Sequence, residues 1–245
     1  MVENSSTTFL KEQFFPYQTI SMQLLDIIFP KRCVGCGKIG RYFCLDCQSG
    51  IRFIAFNEPI CPVCEKPAVD GFTHPMCEAK YGIDGLTSFF HYDGVVKKAV
   101  KAIKYRYVSD LSNEFVSLIS HLPSIIYDPR SLLVPIPLHP ARLRDRGFNQ
   151  AESLGSLVAS ALHISMRTDI LTRVRKTTPQ ASVRKRKDRL KNMDGAFAVH
   201  SPLIRNHSSV VLFDDVFTTG ATMRSAANVL KRAGVKRVWA MTMAR

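Results

Sequence analysis

Residues 210–213, Val-Val-Leu-Phe, run without a polar side chain into Asp214 and Asp215, and Thr218, Thr219, Gly220, Ala221 and Thr222 follow close behind. An apolar run of this kind reads as a strand buried on both faces, so its last residues emerge at the carboxyl edge of a sheet, where α/β proteins bind ligands. The turn after it opens a helix. The first N–H groups of a helix lack backbone partners and its dipole is positive at that end, and both effects hold phosphate. Gly220 allows close approach of the backbone, and three threonine hydroxyls add donors. Carboxylates need donors themselves, so Asp214 and Asp215 suit the vicinal hydroxyls of a ribose, or a magnesium ion with its waters. An acid pair beside a phosphate cup describes a site for a ribose 5-phosphate.

A second set of residues has metal-ligand spacing. Cys33-x-x-Cys36, Cys44-x-x-Cys47, Cys61-x-x-Cys64 and His74-x-x-Cys77 supply four pairs of soft or imidazole ligands, enough for two tetrahedral zinc sites. The two-residue spacer forms a knuckle turn that lets both side chains of a pair reach one ion, and Gly35 and Gly37 suit the first such turn. Pairs adjacent in sequence can share an ion; a crossed arrangement of the first pair with the third is also open. The ligand positions are filled, with no spare carboxylate, so the zinc is expected to be structural and to stand in for a core that so short a segment cannot build.

The elements that must position these residues follow from the pattern around them. The chain has 245 residues, 46% of them hydrophobic, enough for one well-buried domain and a smaller module. Residues 1–18 show no periodicity and read as a loose tail. Ile20, Leu24, Ile27 and Ile28 then share one face of a short helix stopped by Pro30. No apolar run approaches the roughly 20 residues that span a bilayer, and the N-terminus lacks a basic stretch followed by an apolar one, so the chain reads as cytoplasmic. Seven cysteines in that compartment read as ligands, not disulfides. After the cysteines, GLTSFFHYDG predicts a strand, and VVKKAVKAIKYRY a helix with Val96, Val100 and Ile103 inward.

From Ser131 strands alternate with helices: SLLVPIP, a helix over NQAESLGSLVASALH with Leu154, Leu157, Val158 and Ala161 inward, the strands HISMRTDI and VVLF, a helix over TMRSAANVLKRAG and a last strand, VKRVWAMTMA. That alternation predicts an α/β fold, a parallel sheet with helices on both faces. Net charge is +14, and residues 171–192 alone carry nine Lys or Arg against Asp188. A field of that strength suits a polyanion or a phosphate-rich ligand, as it also suits a solvated loop.

The segment VVLFDDVFTTGAT resembles the diphosphoribose-binding motif of type I phosphoribosyltransferases. Together with the cysteine pairs, LLVPIPLHPARLRDRGFNQAESL and LTRVRKTTPQASVRKRKDRLKNMDGAF, it resembles the ComF family of competence proteins over residues 20–245. His74 departs from that pattern, which carries cysteine there in many members. The resemblance implies a tail and short helix over residues 1–30, a double zinc-ribbon module over 31–80, and a phosphoribosyltransferase-like domain over 86–245, with a hood over 86–130 and a core over 131–245. A hood is expected from 86–130 because the chain ends at Arg245 directly after the last predicted strand.

Carried over residue by residue, the family pattern makes Asp214 and Asp215 the catalytic acids and residues 218–222 the seat of ribose 5-phosphate. Pro135 and Ile136 lie in a loop that receives pyrophosphate, and Arg142, Arg144 and Arg146 could neutralise it. Arg173, Arg175, Lys176, Arg184, Lys185, Arg186 and Lys187 fall in the segment that closes over the centre, or that tracks a DNA backbone. The implied ligands are zinc, magnesium with phosphoribosyl diphosphate, and single-stranded DNA, with proteins of the uptake machinery as partners. Two functions stay open at this point: a DNA-uptake protein that retains a ligand-competent transferase site, and a working phosphoribosyltransferase of unknown acceptor with no DNA role.

Overall fold

The structure, a computed structural model, describes residues 30–55, 57–105, 109–119, 131–177, 188, 192–200, 204 and 208–245. The expected N-terminal tail and the helix bearing Ile20 to Ile28 lie outside the described residues. The strand ending in the acid pair is β6, Ser209–Val216, flanked by β2, Leu132–Pro135, and by β7, Arg237–Ala244. With β1, Gly85–Phe90, beside β7 and β3, Ser165–Met166, beside β2, they form a five-stranded sheet in the order β1–β7–β6–β2–β3. Every pairing in it is parallel.

The two-residue period of a strand divides the core. Val211 and Phe213 of β6 enter one apolar cluster with Trp239 and Met241 of β7, while Val210 and Leu212 enter another with Val238 and Ala240. The first cluster is covered by α2, Gly94–Tyr105, α3, Ser109–Ser117, and α5, Gln150–Ala161. The second is covered by α6, Ala221–Arg232. Helices therefore lie on both faces, as the alternating pattern predicts. On α5, Leu154 and Val158 are fully buried, but Ala161 is exposed, and Ala151 and Ala159 take the inner face instead. Ala161 falls on the same stripe, seven residues after Leu154, and is exposed because it is the last residue of the helix, where the covering layer ends.

Three features were not legible in the sequence. The expected strand HISMRTDI ends after Met166, and β4, Leu171–Arg173, leaves the sheet to pair antiparallel with β5, Phe197–Val199. Strands of two or three residues carry no measurable period. The short helices α3 and α4, the latter Pro140–Arg146, were likewise unforeseen.

The metal-ligand segment packs on the first cluster through Phe43 and Ile51, which stand on either side of a short exposed helix, α1, Leu45–Ser49. Backbone N–H groups of Tyr42 and Phe43 donate to the Glu114 carboxylate at 3.2 and 3.0 Å. The Phe43 ring stacks on Phe115, and Phe115 on Phe90, with centroids 5.8 and 5.2 Å apart. Each of these three rings is fully buried and contributes roughly 2 kcal/mol. No helix among the described residues is long and apolar enough to cross a membrane.

From β2 the chain runs outward to β3, and from β6 outward to β7. The loops after these adjacent strands diverge and open a crevice at the carboxyl edge, the switch point at which open α/β sheets bind ligands. Pro135 is level with Phe213, so the crevice begins at Asp214.

Candidate functional site

Sequential pairs of ligands converge on two centres. Cys33, Cys36, Cys44 and Cys47 present four sulfur atoms within 4.8 Å of one another, and Cys61, Cys64, His74 and Cys77 do the same with three sulfurs and a ring nitrogen. The crossed arrangement is not adopted. Each set has the number and kind of donors a tetrahedral zinc ion takes. His74 belongs to its cluster: Nε2 donates to the carbonyl oxygen of Pro67 at 2.9 Å, which leaves Nδ1 as the basic nitrogen, 3.3 Å from the Cys64 sulfur.

The backbone prepares the thiolates. Burial opposes ionisation of Cys33, but N–H groups of Cys44, Cys36 and Gly35 outweigh it and bring its pKa down to about 6. Burial likewise opposes ionisation of Cys61, whose neighbours at Cys64, His74 and Val63 bring it to about 7. Cys47, hydrogen-bonded to Cys33 and crowded by the other sulfurs, is pushed up to about 12. Four thiolates cannot share such a space without a cation.

A Cβ added to Gly35 would lie 2.6 Å from the Cys47 sulfur and 3.0 Å from Val95. Gly35→Ala is therefore expected to destabilise the protein by roughly 1–3 kcal/mol. It should also hasten zinc release from the first centre only, measured with a chromophoric chelator.

At the end of β6 the two acids have different surroundings. The Asp215 side chain is 9% exposed and receives Lys104 Nζ at 3.3 Å. Gln150 Nε2 donates to the same oxygen, Oδ2, at 3.2 Å. Gln150 in turn accepts from Arg146, so the Arg146–Gln150 stretch reaches the acid through one amide. Burial works against the Lys104 ammonium, but the charges of Asp215 and Asp214 outweigh it and hold its pKa above the ordinary value. Asp214 has no side-chain partner among the described residues; its Oδ1 accepts only the Asp215 N–H, at 2.8 Å. Burial first, and then the Asp215 charge, raise its pKa to about 7.

The turn beyond the acids forms the cup. Gly220 adopts a left-handed conformation, φ 66°, and caps α6. A Cβ there would lie 2.7 Å from the Phe217 ring and 3.2 Å from the Pro62 carbonyl oxygen. The Thr219 hydroxyl is shielded from solvent and has no hydrogen-bond partner. A buried hydroxyl without a partner costs about 1–3 kcal/mol. Thr218 is exposed and Thr222 half-buried, while Ala221 is buried and can contribute only its backbone. The Arg224 guanidinium bonds the carbonyl oxygens of Thr219 at 3.1 Å and Val63 at 3.4 Å. The knuckle of the second metal centre is thus one wall of the cup, a contact between segments far apart in sequence.

The remaining expected residues are distributed unevenly. Ile136 donates its N–H to Phe213 and accepts from Asn149 Nδ2, at 2.8 and 3.1 Å, so its polar groups are taken up by the fold and it positions the loop. Arg142 donates to the Thr177 carbonyl oxygen at 2.7 Å. Arg173 is buried in β4, bonded to Thr177 and lying over the Phe197 ring at 5.5 Å. Burial and the charge of Arg142 lower its pKa to about 10, with Asp214 opposing. It is part of the core rather than of an exposed loop. Arg175 bonds the carbonyl oxygen of Asn192 at 2.8 Å, and Lys176 is exposed. Arg184, Lys185, Arg186 and Lys187 lie outside the described residues. Sequence reasoning missed Lys104 and the hydrogen bond that Gln150 donates to Asp215. Only the clustering of lysines on α2 hinted at the first.

These features define a class. The double zinc ribbon domain family matches residues 24–79, and the phosphoribosyl transferase domain family matches residues 149–245. A cysteine-rich zinc-ribbon module thus precedes a parallel, phosphoribosyltransferase-type sheet. Competence protein ComFC of Bacillus subtilis (strain 168) is 30% identical over 203 residues, 78% of each chain. The chain belongs to that ComF family. Competence protein F of Haemophilus influenzae is 33% identical over 116 residues, 46% of this chain and 49% of that one. DNA utilization protein YhgH of Escherichia coli (strain K12) is 28% identical over 210 residues, 80% and 88% of the two chains.

Proposed function

We propose that this protein acts in competence-type DNA uptake, binding phosphoribosyl diphosphate at the β6–α6 crevice and single-stranded DNA through its basic segment. The carrying observation is the unpartnered, shielded Thr219 hydroxyl in the turn that leads from the acid pair into α6. The names of the relatives, competence and DNA utilization proteins, support the biological setting. In this reading residues 31–80 are the ribbon module and 86–245 the ligand domain, with 86–130 as hood. Proteins of the uptake machinery are the partners.

In the ligand site, Asp214 accepts the ribose hydroxyls. Thr219, the Gly220 turn and the first N–H groups of α6 hold the 5-phosphate. Magnesium bound with the diphosphate would supply the charge that neutralises it as a leaving group. Arg146 lies on the β2 side of the crevice, where the diphosphate would extend.

Isothermal titration with magnesium phosphoribosyl diphosphate tests the ligand, and pyrophosphate release in the same samples tests turnover. Absence of binding sinks the ligand reading. Release without DNA binding would instead favour the transferase alternative, which the intact acid pair also suits. The DNA half is tested by replacing Arg184, Lys185, Arg186 and Lys187 with alanine. Single-strand affinity, read by fluorescence anisotropy, is expected to fall for every sequence alike. The salt slope should flatten by about 0.7 for each DNA phosphate that is no longer neutralised. Unaltered affinity and slope would assign the charge to the diphosphate alone.

A further inference from the structure

We infer that Lys104 is a built-in cation of the acid pair, so that the sugar-phosphate part of a ligand binds without a divalent metal and magnesium is needed only by a diphosphate. The inference rests on the reading of the crevice as a ribose 5-phosphate site and names what charge that site supplies for itself. Two adjacent carboxylates at the mouth of a phosphate cup pose a problem of their own. They repel each other, and both repel the phosphate they sit beside. A metal ion is one solution, and a protein cation is another.

The geometry supplies the second. Lys104 Nζ is 3.3 Å from Asp215 Oδ2, and that side chain is 9% exposed. Gln150 Nε2 holds the same oxygen at 3.2 Å. Asp215 is therefore engaged from two sides, by α2 and by α5. Asp214 has no such engagement among the described residues, since its Oδ1 accepts only a backbone N–H. The pair has divided its work. Asp215 anchors a cation, and Asp214 remains open to hydroxyl donors. Charge-assisted contacts of this kind are about twice as strong as neutral ones, and the α2 helix that carries Lys104 is pinned by three buried residues, Val96, Val100 and Ile103. The ammonium is held in place before any ligand arrives.

The test is binding of ribose 5-phosphate by isothermal titration at about pH 8, where carboxylates are ionised. Magnesium is removed by gel filtration and not by a chelator, so the zinc centres stay loaded. Wild type is expected to bind equally with and without magnesium. Lys104→Met should lose about tenfold without magnesium, the effect of one charge-assisted contact, and regain it when magnesium is added. Lys104→Arg should behave as wild type.

A purely structural lysine would not create a magnesium dependence. Magnesium-dependent binding by wild type, or magnesium-free binding by Lys104→Met at wild-type strength, would overturn the inference. Phosphoribosyl diphosphate with magnesium is titrated alongside. Wild type that binds neither ligand breaks the sugar-site reading itself, whereas wild type that binds both with Lys104→Met unaffected breaks only the role of Lys104. Should Lys104→Met leave Asp215 too costly to bury, the double variant Lys104→Met with Asp215→Asn removes the pair together. It is expected to fold and to bind ribose 5-phosphate without magnesium, and failure of that folded variant to bind counts against the division of labour.

Discussion

Alanine at both Asp214 and Asp215 is expected to weaken magnesium phosphoribosyl diphosphate by at least about 100-fold, since each acid offers hydrogen bonds to charged or polarised donors worth about 1.5–3 kcal/mol. The fold should survive, because β6 is held by β2 and β7 along its length and not by its last side chains. Isothermal titration gives the first result and thermal unfolding the second. An unchanged affinity in the folded double variant means that the acids hold neither sugar nor metal.

The same site carries a pH signature. The Asp214 pKa of about 7 lies above its ordinary 3.8, so below neutrality a proton competes with the sugar hydroxyls. Wild-type affinity should fall about tenfold per unit as pH drops below 7, and the double variant should lose that dependence. Stability runs the other way. A group whose folded pKa is raised stabilises the protein below its unfolded value, and that contribution is lost as pH rises through the folded one. Asp214→Asn is therefore expected to be more stable than wild type above pH 7, by on the order of 1–2 kcal/mol once solvent screening is allowed for. The acid is kept at a cost to the fold, as a ligand-facing group would be.

The second large effect concerns the metal centres. Elemental analysis is expected to give close to two zinc per chain, matching two sets of four donors. Exhaustive chelation should unfold the ribbon module, because structural zinc contributes about 10–16 kcal/mol in peptides of this kind. Single substitutions should separate the two centres. Cys33→Ser removes the centre that packs beside α2 and α3, reached through Phe43 and Glu114. Cys61→Ser removes the one whose knuckle supplies Pro62 and Val63 to the Gly220 turn. Both should cost stability, but only Cys61→Ser should also weaken ribose 5-phosphate. Equal ligand affinity in the two variants would show that the second knuckle touches the cup without shaping it.

How far the sequence alone reaches depends on the distance between the parts. The x-x spacing of each cysteine pair is local, so a knuckle can be read from four residues, and His74 was recognisable because it keeps that spacing to Cys77. The apolar run before Asp214 and the Thr-Gly turn after Asp215 are local too, and a strand, turn and helix form from neighbours in the chain. The alternating pattern from Ser131 onward carried the fold class for the same reason. What tertiary structure alone decided is which distant parts meet. It chose sequential over crossed pairing of the metal ligands. It buried Arg173 in β4, where charge patterning had placed it in an open loop. It brought Gln150 to Asp215 across 65 positions, and Val63 to Arg224 across 161. It carried Lys104 of α2 to the acid pair. Period and spacing record what a residue does with its near neighbours. Contacts such as these arise only when separate elements pack, and their chemistry is written in no single stretch of the chain.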